Sequence, residues 1–182
     1  MSDTKKASDV FIECLEAEGC EYIFGVPGEE NLDFLDSLSR SKQIKLILTR
    51  HEQGAGYMAF GYSEASARPG VFAVVPGPGM LNAAAAISTA YACETSVLAL
   101  IGQIASDRIG RGLGELHELP DQSGILSRLV RAHTLVRSTG GMKTQRRPSR
   151  GSTEIAVRTA PSRSPMLCST RCCVASAARM SS

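Results

Sequence analysis

Apolar and polar positions along the first 136 residues switch repeatedly between helical spacing and short unbroken apolar runs. Val10, Phe11, Cys14 and Leu15 recur one turn apart, which predicts an amphipathic helix over about 7–19 with a stop at Gly19. Tyr22-Ile23-Phe24 is a buried strand, ended by Gly25-Val26-Pro27-Gly28. Leu32, Leu35 and Leu38 mark a second helix, and Ile44 to Leu48 the next strand. Residues 52–67 are rich in Ala, Gly and Met and read as a tightly packed helix. Val71 to Val75 is a strand followed by the sharp turn Gly77-Pro78-Gly79. Leu81 to Ala92, with four consecutive alanines, is another close-packed helix, and Val97 to Ile101 a strand. Residues 121–131 give one more helix and 133–136 a last strand.

Strands and helices therefore alternate with short connections. Most of the strands are continuous apolar runs, the pattern of strands buried on both faces. An α/β fold with a parallel sheet and helices on both faces follows. In such sheets ligands bind beyond the carboxyl ends of the strands. Val26-Pro27-Gly28, His51-Glu52-Gln53, Gly77-Pro78-Gly79 and Gly102-Gln103 all fall there.

Charge divides the chain at about residue 137. Residues 1–136 carry 11 Lys/Arg against 17 Asp/Glu, whereas residues 137–182 carry nine basic residues and one acid, Glu154. The second part has no aromatic residue and no Asp, and Arg and Ser account for 17 of its 46 positions. A segment so poor in large apolar groups cannot offset the entropy of ordering itself, so 7–136 is expected to be the folded domain and 137–182 a disordered tail. The abrupt change of pattern, with Cys and Arg together, reads as a change of reading frame, with a genuine disordered extension as the other reading.

Several classes drop out. The longest strongly apolar run, about Val97 to Ile101, is far shorter than the ~20 residues of a membrane helix. The amino-terminal Met-Ser-Asp-Thr-Lys-Lys lacks a secretory apolar stretch, and a cytoplasmic protein is expected. The six cysteines form no CxxC pair, and His51, His117 and His133 are not at metal-ligand spacing with them; free reduced thiols are expected and no metal site. The tail arginines have no aromatic interleaving, so nucleic acid is not an expected partner.

Glu52 follows an apolar strand and opens a helix of small residues, Gly54, Ala55, Gly56 and Ala59. A carboxylate there suits the helix dipole in any protein, but it also stands where ligands bind in such sheets. Gly77-Pro78-Gly79, followed by Asn82, is either a tight strand-to-helix turn or a cradle for a ligand. It is not a Walker loop, because no Gly-Lys-Ser/Thr follows. His117 lies in a long loop, Gly110 to Pro120, and Gln103 at a strand end. A lone loop histidine is more often solvated or structural than part of a site, although long loops inside compact domains are often functional, and Gln103 taken alone is ambiguous.

Taken together, Phe24-Gly25-Val26-Pro27-Gly28, Arg50-His51-Glu52-Gln53, Gly77-Pro78-Gly79-Met80-Leu81-Asn82, Ala90-Tyr91 and Ile101-Gly102-Gln103 resemble the N-terminal pyrimidine-binding domain of thiamine diphosphate-dependent enzymes. The likeness is greatest to the acetolactate synthase and benzoylformate decarboxylase group, and it covers residues 7–136. It implies that Glu52 is the catalytic carboxylate, hydrogen-bonded to N1′ of the cofactor's aminopyrimidine. It also implies that Pro27, Gly28, Val75, Pro78 and Asn82 line the pyrimidine pocket, with Gln103 and His117 on the substrate side. The reaction so implied is decarboxylation of a 2-oxo acid, with or without transfer to an acceptor.

The family binds the cofactor's diphosphate and Mg²⁺ through a second α/β domain with a Gly-Asp-Gly motif, which this sequence lacks. The resemblance thus implies the pyrimidine end of thiamine diphosphate alone and an incomplete enzyme, inactive by itself. The other reading is a non-catalytic module that docks on a full-length homologue. Self-association or such a homologue is the expected partner, through the helices carrying Gly54, Gly56, Ala83 to Ala86 and Ala90.

Overall fold

The computed structural model describes residues 6–136 and the backbone of 156–158. Its elements run α1 (Ala7–Ala17), β1 (Tyr22–Gly25), a 3₁₀ turn (Glu29–Asn31), α2 (Leu32–Arg40), β2 (Lys45–Leu48), α3 (Glu52–Ser66), β3 (Gly70–Val74), α4 (Pro78–Ala92), β4 (Val97–Ile101), α5 (Gln122–Leu129) and β5 (Ala156–Arg158). The sheet order is β2-β1-β3-β4-β5. Strands β1 to β4 are all parallel, with Ile23 beside Leu46 on one side and Val71 on the other.

Helices cover both faces, as the unbroken apolar strands require. Alternate residues of β3 take opposite sides: Val71 and Ala73 pack with Phe11, Ile12 and Leu15 of α1 and Phe34 and Leu38 of α2. Phe72 and Val74 pack with Ala55 and Ala59 of α3, Met80, Ala83 and Ile87 of α4, and Leu126 of α5. Phe72, Ile23, Met80, Ile87 and Leu126 are among the largest fully buried side chains, each worth about 1.5–3 kcal/mol of burial. On the first face, Asp9 of α1 accepts from Ser37 Oγ of α2 at 2.6 Å and pairs with Arg40, which also holds Asp36 at 2.6 Å. The Ser37 hydrogen bond and the Arg40 guanidinium hold the Asp9 carboxyl below its usual range.

The small residues of α3 and α4 are spent on each other. A Cβ at Gly56 would lie 2.6 Å from the Cβ of Ala86, and Ala83, Ala86 and Ala90 are all buried. Gly54, by contrast, faces open space. The close approach of Gly56 and Ala86 is within one chain, and the two helices leave Tyr57, Met58, Leu81 and Tyr91 exposed.

Three expectations change. Residues 133–136 form no strand; Val136 is buried, but the segment pairs with no sheet neighbour. Helix α4 begins at Pro78, three residues ahead of Leu81, because Gly77 at φ 59° turns the chain and proline fits the first helical position. And β5, in a segment read as having no element, lies antiparallel to β4, with Leu98 opposite Arg158. The rest of the expected disordered tail lies outside the described residues. Among the described residues, no helix is long and apolar enough to cross a membrane.

Candidate functional site

Strand β1 sits between β2 and β3, so the chain leaves its carboxyl end towards β2 and returns on the far side in β3. In sheets of this order the crevice at that reversal is where ligands bind. The turns after β1, β3 and β4 meet there, together with the start of α3.

After Gly25 the chain passes through Val26, an exposed Pro27 and Gly28 into the 3₁₀ turn. A Cβ on Gly28 would lie 2.1 Å from Cγ1 of Val75, and one on Gly79 would lie 2.6 Å from Cγ2 of the same valine. Val75, buried just past β3, therefore seats one methyl on each glycine backbone. That same missing Cβ on Gly79 is 3.8 Å from Cγ of Glu52.

Glu52 is the first residue of α3, behind His51, whose Nδ1 accepts from the Gln53 N–H at 3.2 Å. The carboxylate is half-buried, near the positive end of the helix dipole. Its Oε2 accepts from Asn82 Nδ2 at 3.0 Å, and Oε1 carries no hydrogen bond within the described residues. Asn82 lies just over one turn into α4, so the pair joins the amino ends of two helices. Pro78, exposed, is the first residue of α4.

Gln122, buried at the start of α5, holds two of the turns together. Its Oε1 accepts from the Gly77 N–H at 2.9 Å, and its Nε2 donates to the Gly102 carbonyl at 3.1 Å. Gly102 in turn packs so closely on Pro76 that a Cβ would lie 2.7 Å from its Cδ. Gln103, next along, is buried, and its Oε1 accepts from the Ile104 N–H at 2.8 Å. Its carbonyl is thus turned onto its own backbone.

The loop before α5 carries His117 at φ 66°. Its carbonyl oxygen would stand 2.4 Å from a Cβ on Gly77, and its Nδ1 lies 2.6 Å from Oε1 of Glu30. Glu118 braces the same loop by accepting from the N–H groups of Gly112, Gly114 and Glu115.

The structure thus brings Glu52, Asn82, Val75, Gly28 and Gly79 into one contiguous group and sets His117 against the adjoining Gly77 turn. Pro27 and Pro78 border the group in sequence. Sequence reading passed over Gln122 and Glu30. Gln122 had a signal: it shares four-residue spacing with Leu126 and Val130, a polar residue on an apolar stripe. Glu30 had none, because its partner is 87 residues away. Among the described residues, no group of three or more His, Cys, Asp or Glu is placed to hold a metal ion.

The parallel α/β sheet thus gathers a carboxylate and a side-chain amide at its switch point, the place where domains of this class bind ligands. The chain belongs to the thiamine pyrophosphate enzyme family: the family's N-terminal TPP binding domain matches residues 5–125. It is 42% identical over 119 residues to a probable 2-ketoarginine decarboxylase of Pseudomonas aeruginosa, a match covering 65% of this chain and 21% of that protein. It is 45% identical over 105 residues to a probable acetolactate synthase large subunit of Methanocaldococcus jannaschii, covering 58% and 18%. With an acetolactate synthase large subunit of Buchnera aphidicola it shares 37% over 132 residues, covering 72% and 23%. The chain spans about a fifth of the length of these relatives.

Proposed function

We propose that this domain supplies the pyrimidine side of a thiamine diphosphate site in an acetolactate synthase-like enzyme acting on a 2-oxo acid. The observation that carries the proposal is the Glu52–Asn82 pair, with a carboxylate oxygen left over at the switch point. A flat aminopyrimidine offers ring nitrogens and an exocyclic amine, which suit one carboxylate with a free oxygen and one side-chain amide. The donor set therefore fits that end of the cofactor.

In this reading Asn82 orients the Glu52 carboxyl, and Glu52 shares a proton with the pyrimidine nitrogen N1′. Val75, seated on Gly28 and Gly79, forms an apolar floor that keeps water from the ring's face, with Pro27 and Pro78 at its rim. Bound thiamine diphosphate supplies the carbon nucleophile and the electron sink for decarboxylation. Gln103 and His117 are assigned to the substrate side. The diphosphate and Mg²⁺ are left to a second domain, in a longer form of this protein or in a homologous subunit. The relatives' names, a decarboxylase and two synthase large subunits, support the reaction class.

The test joins this domain to a homologous diphosphate domain and compares Glu52→Gln with the parent. Gln keeps the size and one hydrogen bond but cannot share the proton. Exchange of the cofactor's C2 proton with D₂O, followed by NMR, should slow about 10²–10⁴-fold. Equal exchange rates would reduce Glu52 to a helix-terminus carboxylate and overturn the proposal.

A further inference from the structure

A second pair of titratable side chains stands beside the same turns. His117 Nδ1 and Glu30 Oε1 are 2.6 Å apart and tie the long loop to the 3₁₀ turn after β1. The two side chains are 23% and 13% exposed. Glu30 Oε2 is buried and has no hydrogen-bond partner among the described residues, so His117 is the group that answers this carboxyl. An ionised carboxylate is an acceptor only, and which imidazole nitrogen carries the proton follows from the bond the other ring nitrogen makes. A 2.6 Å contact to Nδ1 therefore calls for a proton between Nδ1 and Oε1. His117 is also held from behind. Its backbone sits at φ 66° in a turn closed by the Glu118 N–H to the Glu115 carbonyl at 3.0 Å, and its carbonyl abuts Gly77. The ring is thus fixed by backbone and carboxylate together.

We propose that Glu30 is a positioning residue for His117: it keeps a proton on Nδ1, so that the ring in its neutral form offers Nε2 to a ligand as a hydrogen-bond acceptor. This rests on the reading of His117 as a substrate-side residue. It deepens that reading by naming the chemistry the ring accepts, an O–H or N–H group of the substrate or of a water that serves it. A ring with the opposite tautomer would instead present a donor and favour the substrate's carboxylate. The arrangement resembles the general device in which a carboxylate fixes the tautomer of a working histidine.

The tautomer is measurable in the full 182-residue chain without any cofactor. Long-range ¹H–¹⁵N correlation spectra of the His117 ring, taken at a pH where it is neutral and assigned with His117→Gln, separate a protonated ring nitrogen from a bare one. The expected result is a protonated Nδ1 and a bare Nε2 in the parent. In Glu30→Ala the proton should move predominantly to Nε2, while Glu30→Gln, whose amide oxygen still accepts, should keep it on Nδ1. A parent ring protonated on Nε2, or a Glu30→Ala ring unchanged from the parent, would overturn the assignment. If Glu30→Ala fails to fold, the parent spectrum still decides. Because the tautomer is read without cofactor or substrate, it can fail while the Glu52 reading stands, and that reading is decided separately by the C2-proton exchange.

Discussion

The Asn82 amide donates to Glu52 Oε2 at 3.0 Å, joining two helices that leave different strands. Neither residue could be assigned a role from its own neighbourhood. Glu52 alone is a carboxylate at a helix start, and Asn82 alone is an exposed polar residue near the beginning of another. Their contact depends on α3 and α4 packing so closely that Gly56 has no room for a Cβ. The catalytic geometry proposed above is thus a consequence of small residues elsewhere on the same two helices.

That dependence is open to a direct comparison within α3. Gly54→Ala adds a methyl into open space in the first turn of α3, so stability should rise, by at most about 0.5–1 kcal/mol. Gly56→Ala, two residues on, drives a Cβ to 2.6 Å from Ala86 and should cost about 1–3 kcal/mol. Urea unfolding followed by circular dichroism distinguishes the two signs.

Gln122 should matter more than its place on a short helix implies. Gln122→Leu leaves the Gly77 N–H and the Gly102 carbonyl without their partner in a buried setting. Each unsatisfied group costs about 1–3 kcal/mol, so the loss should be clearly larger than that of an exposed substitution such as Ser127→Ala. The same urea titration measures it, and amide exchange at Gly77 should speed up in the variant.

Stability should fall in two steps as the pH is lowered from neutrality. Burial lowers the His133 pKa, so the unfolded ring takes a proton more readily than the folded one, and stability is lost as the pH drops through about 6.5. The Ser37 hydrogen bond and Arg40 depress the Asp9 pKa, and Arg40 does the same for Asp36. Their contribution is present above the unfolded carboxylate value and is lost below about pH 4. The urea midpoint plotted against pH should show both steps. His133→Gln should remove the upper one and Asp9→Asn reduce the lower.

Thiol reactivity should separate cysteines that look alike in the sequence. Burial pushes the Cys20 thiol up to about 12, and its Sγ lies 3.5 Å from the Tyr22 carbonyl. Cys93 is exposed. With iodoacetamide at pH 8, peptide mass spectrometry should find Cys93 modified on the order of 10²-fold faster than Cys20 or more, since the thiolate is the nucleophile. Comparable rates at the two positions would contradict the burial of Cys20.

The sequence by itself determined the class of fold. Unbroken apolar runs such as Val97 to Ile101 require cover on both faces, and the glycine and proline turns marked where the strands end. These are local signals, complete within a window of a few residues, and they placed Glu52 and the Gly77 turn at the carboxyl edge of the sheet. The start of α4 at Pro78 has a local signal too, since proline suits the first helical position after the Gly77 turn. What the tertiary structure decided are the pairings across distance. Gln122 meets Gly77 and Gly102 across 45 and 20 residues, and Glu30 meets His117 across 87. Residues 133–136 form no strand, and the place beside β4 is taken by β5, from a segment far along the chain. A polar residue's partner is set by how the layers stack, and no periodicity along the chain encodes which turn will lie across from it.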